Sequence, residues 1–313
     1  MSKLLQPRLS VLGLLSAAGF IACLASLLGF LGRFHWFLDL FSHFRVQYLA
    51  GLIIITGILL RFARRRMAFV FGAFALLNLL LLVPYLLPFK KTVSAPDVLR
   101  AVLINVNTHA GDPQAVIQFV AQSQPDFLVL QEVSDTWLTA LEELDSMYPH
   151  QVLKPRSDNF GMALFSQLPI SKYEVTSLGK ADVPSILATL SVGERQVDLI
   201  ATHPVPPIGA LMSDFRNDQL AHIPGVMNPG HATLLMGDLN CTPWNFHFKK
   251  MLKQTDLLDS AKGRGWQPSW PSFFLPLGIP IDHCLHTPDL TVTKRRIGPD
   301  VGSDHYPLVV EFF

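Results

Sequence analysis

Cysteine is scarce in this chain. Its 313 residues hold three, Cys23, Cys241 and Cys284, with no Cys-x-x-Cys pair and no zinc-type Cys/His spacing. That excludes a disulfide-built scaffold and a thiolate metal centre. Charge is also missing, in blocks. No Asp, Glu, Lys or Arg lies between Arg8 and Arg33, between Arg45 and Arg61, or between Arg66 and Lys90, gaps of 24, 15 and 23 residues. A helix needs about 20 apolar residues to cross the hydrocarbon core of a bilayer. The first and third gaps suffice. The second, "VQYLAGLIIITGILL", suffices if Arg45 and Arg61 snorkel at its ends. Three membrane helices are expected, at roughly 10–32, 45–62 and 67–88. Three such stretches in series do not suit a cleaved signal peptide.

Acidic residues are almost absent from the first 90 positions, where nine Lys or Arg face Asp39 alone. The remainder carries sixteen Lys or Arg against twenty-three Asp or Glu. The chain therefore divides into a basic membrane anchor, 1–91, a polar linker, 92–98, and an acidic globular domain, 99–313. Lys3, Arg8 and the cluster "RFARRR" (Arg61 to Arg66) belong on the cytoplasmic side, which puts the globular domain outside the cytoplasm. Apart from "TKRRIG" (Thr293 to Gly298) the domain has no Lys/Arg-rich run, so an extended nucleic-acid footprint is not favoured. No internal repeat or low-complexity tract is present.

Within the domain, apolar runs end on polar residues. "VLINVN" ends at Asn105 and Asn107, "FLVLQEV" near Glu132, "LIATH" at His203, and "TLLMGDLN" at Asp238 and Asn240. "IDHCL" opens with Asp282, and "GSDHYPLVVEFF" places Ser303, Asp304 and His305 before a last strand. "GDPQAVIQFVAQSQPD" reads as a helix capped by Asp112 with Pro113 at its first turn. Strands joined by hairpins as well as helices imply mixed sheets with helices outside. Taken singly, Glu132 is a carboxylate at a strand end, and Asp238 and Asn240 are turn formers before Thr242-Pro243. Taken together, carboxylates, amides and histidines gathered at one edge suit a hard cation such as Mg²⁺ and metal-assisted hydrolysis of a phosphoester. His109, His231 and His283 read as structural, and Arg216 as a helix-surface salt bridge. Trp244, Trp266 and Trp270 fit either a groove or the core. A bond between Cys241 and Cys284 stays open.

"LVLQEV", "GDLN" and "GSDHYPL", in that order, resemble the endonuclease/exonuclease/phosphatase superfamily across roughly Leu99 to Phe313. The resemblance implies an α/β (α+β) four-layer sandwich, two mixed β-sheets packed face to face with helices outside, here preceded by the three transmembrane helices. It implies a metal-dependent phosphoric ester hydrolase using Mg²⁺, with Mn²⁺ as a substitute. By the same resemblance Glu132 is the main metal ligand, helped by Asn105 and Asp304. Asp238 orients or deprotonates the attacking water, and Asn240 holds a phosphoryl oxygen. His203 stands on the leaving-group side, His305 faces the phosphoryl group, and Asp282 orients His305. Asn107 departs from several nucleases of the group, which carry Asp there. The anchored layout is similar to bacterial membrane members of the group, implying a multi-pass protein of the bacterial inner membrane. The expected partners are the lipid bilayer and a phosphoester substrate, lipid-linked or membrane-proximal. A nuclease and an inactive binding module are the alternatives.

Overall fold

A computed structural model describes residues 10–88 and 98–313, which divide into two compact units, Met1–Pro84 and Tyr85–Phe313. Most of the expected linker, residues 92–97, lies outside the described residues.

The first unit is helical: α1 (Val11–Leu28), a short α2 (Trp36–Leu40), α3 (Arg45–Arg61) and α4 (Arg65–Leu86). Gly19 lets α1 close on α4, because a Cβ there would meet the Phe71 ring at 2.4 Å. Two segments, Val11–Leu31 and Arg65–Leu86, are long and apolar enough to cross a membrane. The expectation of a third is corrected. Helix α3 has 17 residues, about 25 Å at 1.5 Å per residue, short of a core about 30 Å thick. Nor does Arg45 snorkel outward to extend it. Its guanidinium is 1 % exposed and donates to the Ser26 carbonyl at 2.7 Å.

The second unit carries two six-stranded sheets. One contains β1 (Leu99–Asn105), β2 (Phe127–Gln131), β3 (His150–Lys154), β4 (Met162–Ser166), β11 (Val292–Ile297) and β12 (Leu308–Phe312), in the order β11-β12-β1-β2-β4-β3. The other contains β5 (Ile170–Ser177), β6 (Pro184–Val192), β7 (Arg195–Thr202), β8 (Ala232–Asp238), β9 (Leu258–Asp259) and β10 (Asp282–His286), in the order β5-β6-β7-β8-β10-β9. Both sheets are mixed. Strand β1 runs parallel to β2 and β7 parallel to β8, and the other pairings are antiparallel.

Period-two alternation sorts the side chains into layers. Ala101, Leu103, Val129, Leu234 and Met236 fill the space between the sheets. Val102 and Ile104 face α5 (Pro113–Ser123) and α6 (Asp135–Ala140), while Leu235 faces α7 (Gly209–Val226) and α8 (Phe246–Thr255). Strands buried on both faces read as unbroken apolar runs, which is why β1, β2 and β8 stand out in the sequence. Truncating Leu103 or Met236 to Ala in this interior would cost about 2–5 kcal/mol. The expected cap of α5 is present, with Asp112 accepting from the N–H groups of Gln114 and Ala115.

Cys241 and Cys284 are not joined in a disulfide, and both are buried. Cys284 points between the sheets and Cys241 packs on the outer face with Phe248 and Met251, so the two thiols lie on opposite sides of the sheet.

Candidate active site

Strand direction assembles the site. In each sheet the two parallel strands end at the same edge, delivering Asn105 and Glu132 from one sheet and His203 and Asp238 from the other. Strands β10 and β12 run antiparallel to β8 and β1, so their first residues reach the same edge. These starts bring Asp282 and the Ser303-Asp304-His305 turn. All eight residues singled out in the sequence therefore lie at one edge of the sandwich.

On one side of the cleft the Asn105 amide donates to Glu132 Oε1 at 2.9 Å, while its Oδ1 accepts from the Asn107 N–H at 3.1 Å. The Thr108 N–H approaches Glu132 Oε2 at 3.4 Å. The Asn107 amide donates to Asp304 Oδ1 at 2.7 Å, and the Trp270 indole N–H donates to Asp304 Oδ2 at 2.9 Å. A neutral amide at position 107 thus supports Asp304, where a carboxylate would repel it. Glu132 has φ +63°, Asn107 +56° and Asn240 +49°. This left-handed backbone costs a β-carbon-bearing residue about 1–2 kcal/mol, less for Asn. Such strain concentrates at functional sites, and here it ends β2 abruptly at the cleft.

On the other side Asp238, 2 % exposed, accepts from the Asn240 N–H through Oδ1 at 2.8 Å. Its Oδ2 lies between two imidazoles, 3.4 Å from His203 Nε2 and 3.7 Å from His305 Nε2. His305 Nδ1 meets Asp282 Oδ2 at 2.9 Å. Burial works against the charged His305 ring, yet Asp282 in contact, with Asp238 and Asp304 nearby, raises its pKa to about 10. His203 behaves alike. Burial opposes its charge, but Asp238 and then Glu132 hold its pKa above the ordinary value. Burial disfavours the Asp282 carboxylate, and the His305 charge outweighs that and lowers its pKa. The Asn240 side chain donates to the Pro204 carbonyl at 2.8 Å and stands 3.4 Å from His203 Nε2.

The sign of the His305 shift makes a pH prediction. The charged ring is present below about 10 and lost above it. Activity that uses this charge should fall on the alkaline side, and Asp282→Asn should move that fall to lower pH. A pH–rate profile of both proteins checks this; superimposed alkaline limbs would contradict the pairing.

Three contributors escaped the sequence reading. Gln131 spans the sandwich: its Nε2 donates to the Thr202 carbonyl and its Oε1 accepts from the Asp238 N–H, each at 2.9 Å. Gly237 permits this closeness, since a Cβ there would sit 1.8 Å from the Thr202 oxygen. Arg216 is not on the helix surface. It is fully buried and donates to the Asn240 carbonyl at 3.0 Å, bracing the turn after β8. Trp270 holds Asp304. These partners are distant in sequence, and only the "LQE" adjacency offered a signal. Gln131→Leu should leave a buried carbonyl and a buried N–H unmatched, at about 1–3 kcal/mol each. A clearly lower unfolding midpoint is expected, with reduced turnover because Asp238 loses its anchor. His283 lies on the backbone of the turn after β8, its Nε2 2.8 Å from the Cys241 carbonyl oxygen.

Among the described residues, no three His, Cys, Asp or Glu side chains stand grouped for a metal ion. The donor set still fits a hard cation. Glu132 takes its two hydrogen bonds from neutral donors, and oxygen ligands line that side of the cleft. Mg²⁺ typically keeps several waters and needs only one or two carboxylates. Asn105, as placed, orients Glu132.

Fold and cleft define an α/β sandwich with a carboxylate–imidazole site at the edge where its parallel strands end. The sequence model of the Endonuclease/Exonuclease/phosphatase family matches residues 102–305, and the chain belongs to that family. Members of the family are generally hydrolases of phosphoesters and typically use divalent metal ions. No curated protein matches the chain in sequence. Among solved structures it is similar to truncated Caenorhabditis elegans TDP2, with 19 % identity, TM-score 0.57, and 69 % of this chain and 98 % of that one covered. It is similar to the human Nocturnin catalytic domain with bound sulfate, with 20 % identity, TM-score 0.56 and 71 % and 96 % covered. It is also similar to sphingomyelinase C from Streptomyces griseocarneus, with 17 % identity, TM-score 0.52 and 69 % and 99 % covered. At these identities the likeness is one of fold.

Proposed function

We propose that the chain is a membrane-anchored, Mg²⁺-dependent phosphoesterase acting on a phosphodiester or phosphomonoester at or near a lipid surface. The observation that carries this reading is Asp238 Oδ2 held between two imidazoles of raised pKa, with Glu132 and its neutral donors close by. Glu132, helped by Asn105 and Asp304, would hold Mg²⁺, which supplies Lewis-acid neutralisation of the phosphoryl group. Asp238 takes a proton from the attacking water as its oxygen bonds to phosphorus. The bond from phosphorus to the leaving oxygen breaks, and His203 gives its proton to that oxygen. Charged His305, fixed by Asp282, and the Asn240 amide stabilise charge on the phosphoryl oxygens.

Two features support a membrane setting. Val11–Leu31 and Arg65–Leu86 have the length and apolarity of membrane spans. Arg61, Arg64, Arg65 and Arg66 cluster at the start of α4, so this helix carries the chain outward from the cytoplasmic side however many helices cross before it. The nuclease reading has the net charge against it, since residues 91–313 carry sixteen Lys or Arg against twenty-three Asp or Glu. In the run "TKRRIG", Arg295 is buried and donates to the Asp282 carbonyl, and Lys294 stands 3.8 Å from Glu311. Assaying the full chain on phospholipid vesicles, sugar phosphates, plasmid DNA and RNA tests the choice. Efficient cutting of plasmid at physiological salt, with every lipid phosphoester left intact, would reverse it.

A further inference from the structure

Large apolar side chains are not scattered evenly over the surface of the second unit. Of the fifteen exposed ones among its described residues, eight fall in three places: Ile208, Leu211 and Met212; Phe246; and Phe273, Phe274, Leu275 and Leu277. All three places lie at the edge that carries the cleft. Helix α7 follows β7 and α8 follows β8, so both helices begin where those strands end. The third group precedes β10, which starts at that same edge.

The third group forms a lip. Residues 271–278 leave the fold and return to it through paired backbone bonds between Trp270 and Ile279. The Ser272 N–H donates to the Asp304 carbonyl at 2.8 Å and its hydroxyl to the Ser303 carbonyl at 2.7 Å. The Tyr306 hydroxyl donates to the Ser272 carbonyl at 2.9 Å. The base of the lip is therefore fastened to the turn that bears Asp304 and His305. Beyond it the sequence "FFLPL" carries no charge, and Phe273 is 79 % exposed. The first group continues from the His203 loop, where Ile208 is 77 % exposed.

Exposed large apolar side chains concentrated at one edge mark a site for another surface to cover. This chain holds its own candidate for that surface, because two of its helices have the length and apolarity of membrane spans. We propose that the 271–278 lip, with Ile208 and Leu211 on the opposite flank, seats the cleft on the lipid bilayer, its side chains entering the boundary between headgroups and acyl chains. Apolar groups settle about 5–10 Å into that boundary, which brings the cleft to the level of lipid phosphates. The substrate class is then a phosphoester in a lipid headgroup. This inference rests on the membrane-anchored reading above and assigns the surface that meets the substrate.

The test uses the full chain in phosphatidylcholine/phosphatidylglycerol vesicles containing 5-doxyl phosphatidylcholine. The native cysteines are buried, so an environment-sensitive NBD label can be directed to single introduced thiols: Phe273→Cys, Leu211→Cys, Leu14→Cys in α1, and Glu194→Cys in the β6–β7 turn at the opposite edge. The Phe273 and Leu211 labels should be quenched several-fold more than the Glu194 label and emit at shorter wavelength. If both report water as fully as Glu194 does, the inference is overturned, and a soluble protein partner becomes the occupant to seek. The Leu14 label separates the two readings. Quenching there with none at Phe273 or Leu211 rejects the lip and keeps the anchor; none at Leu14 rejects the anchor.

Discussion

Asp238→Asn should lower turnover by about 10²–10⁴-fold, the usual loss for one placed general base, while Mg²⁺ affinity stays near the wild-type value. The substitution keeps the side chain's size, and its Oδ1 can still accept from the Asn240 N–H. It removes the charge at Oδ2, which now lies between His203 and His305. Both histidines owe part of their raised pKa to that charge. The variant should therefore also lose its positive charge in the cleft at lower pH. Steady-state kinetics against Mg²⁺ concentration and pH measure both effects. A variant that keeps wild-type turnover would remove Asp238 from the chemistry.

Glu132→Gln should act differently, weakening metal binding and turnover together. Glu132 is the carboxylate whose bonds come from an amide and a backbone N–H, leaving its charge for a cation. A neutral Gln keeps the shape and loses that attraction. Excess Mg²⁺ should restore part of the rate in Glu132→Gln and none in Asp238→Asn. Isothermal titration of both variants with Mg²⁺, alongside kinetics, separates the two roles. Unchanged activity of Glu132→Gln at low Mg²⁺ would show that the metal is held elsewhere.

The parts of this fold that were legible in the sequence share one physical cause. Strands β1, β2 and β8 are covered on both faces, so each is a continuous apolar run, and the polar residue ending it announces the edge of the sheet. Asp112 and Pro113 marked the start of α5 by capping chemistry that is local in sequence. What stayed hidden depends on long-range contacts. Strand β11, "VTKRRI", buries Arg295 against the Asp282 carbonyl and reads as a basic surface run until its partner is known. Trp270 reaches Asp304 across 34 positions, and Gln131 joins two sheets across 107. The third membrane helix was expected on the premise that Arg45 points outward; the Ser26 carbonyl, 19 residues away, binds it inside instead.

Whether the cleft hydrolyses a phosphoester with the help of a divalent metal ion is read from release of p-nitrophenol from bis(p-nitrophenyl) phosphate by the purified full chain in detergent, with and without EDTA. Hydrolysis in Mg²⁺ is expected, abolished by EDTA and restored by added Mg²⁺ or Mn²⁺. Hydrolysis that persists undiminished in EDTA, or none under any metal condition with this or another phosphoester, would contradict that role for the cleft.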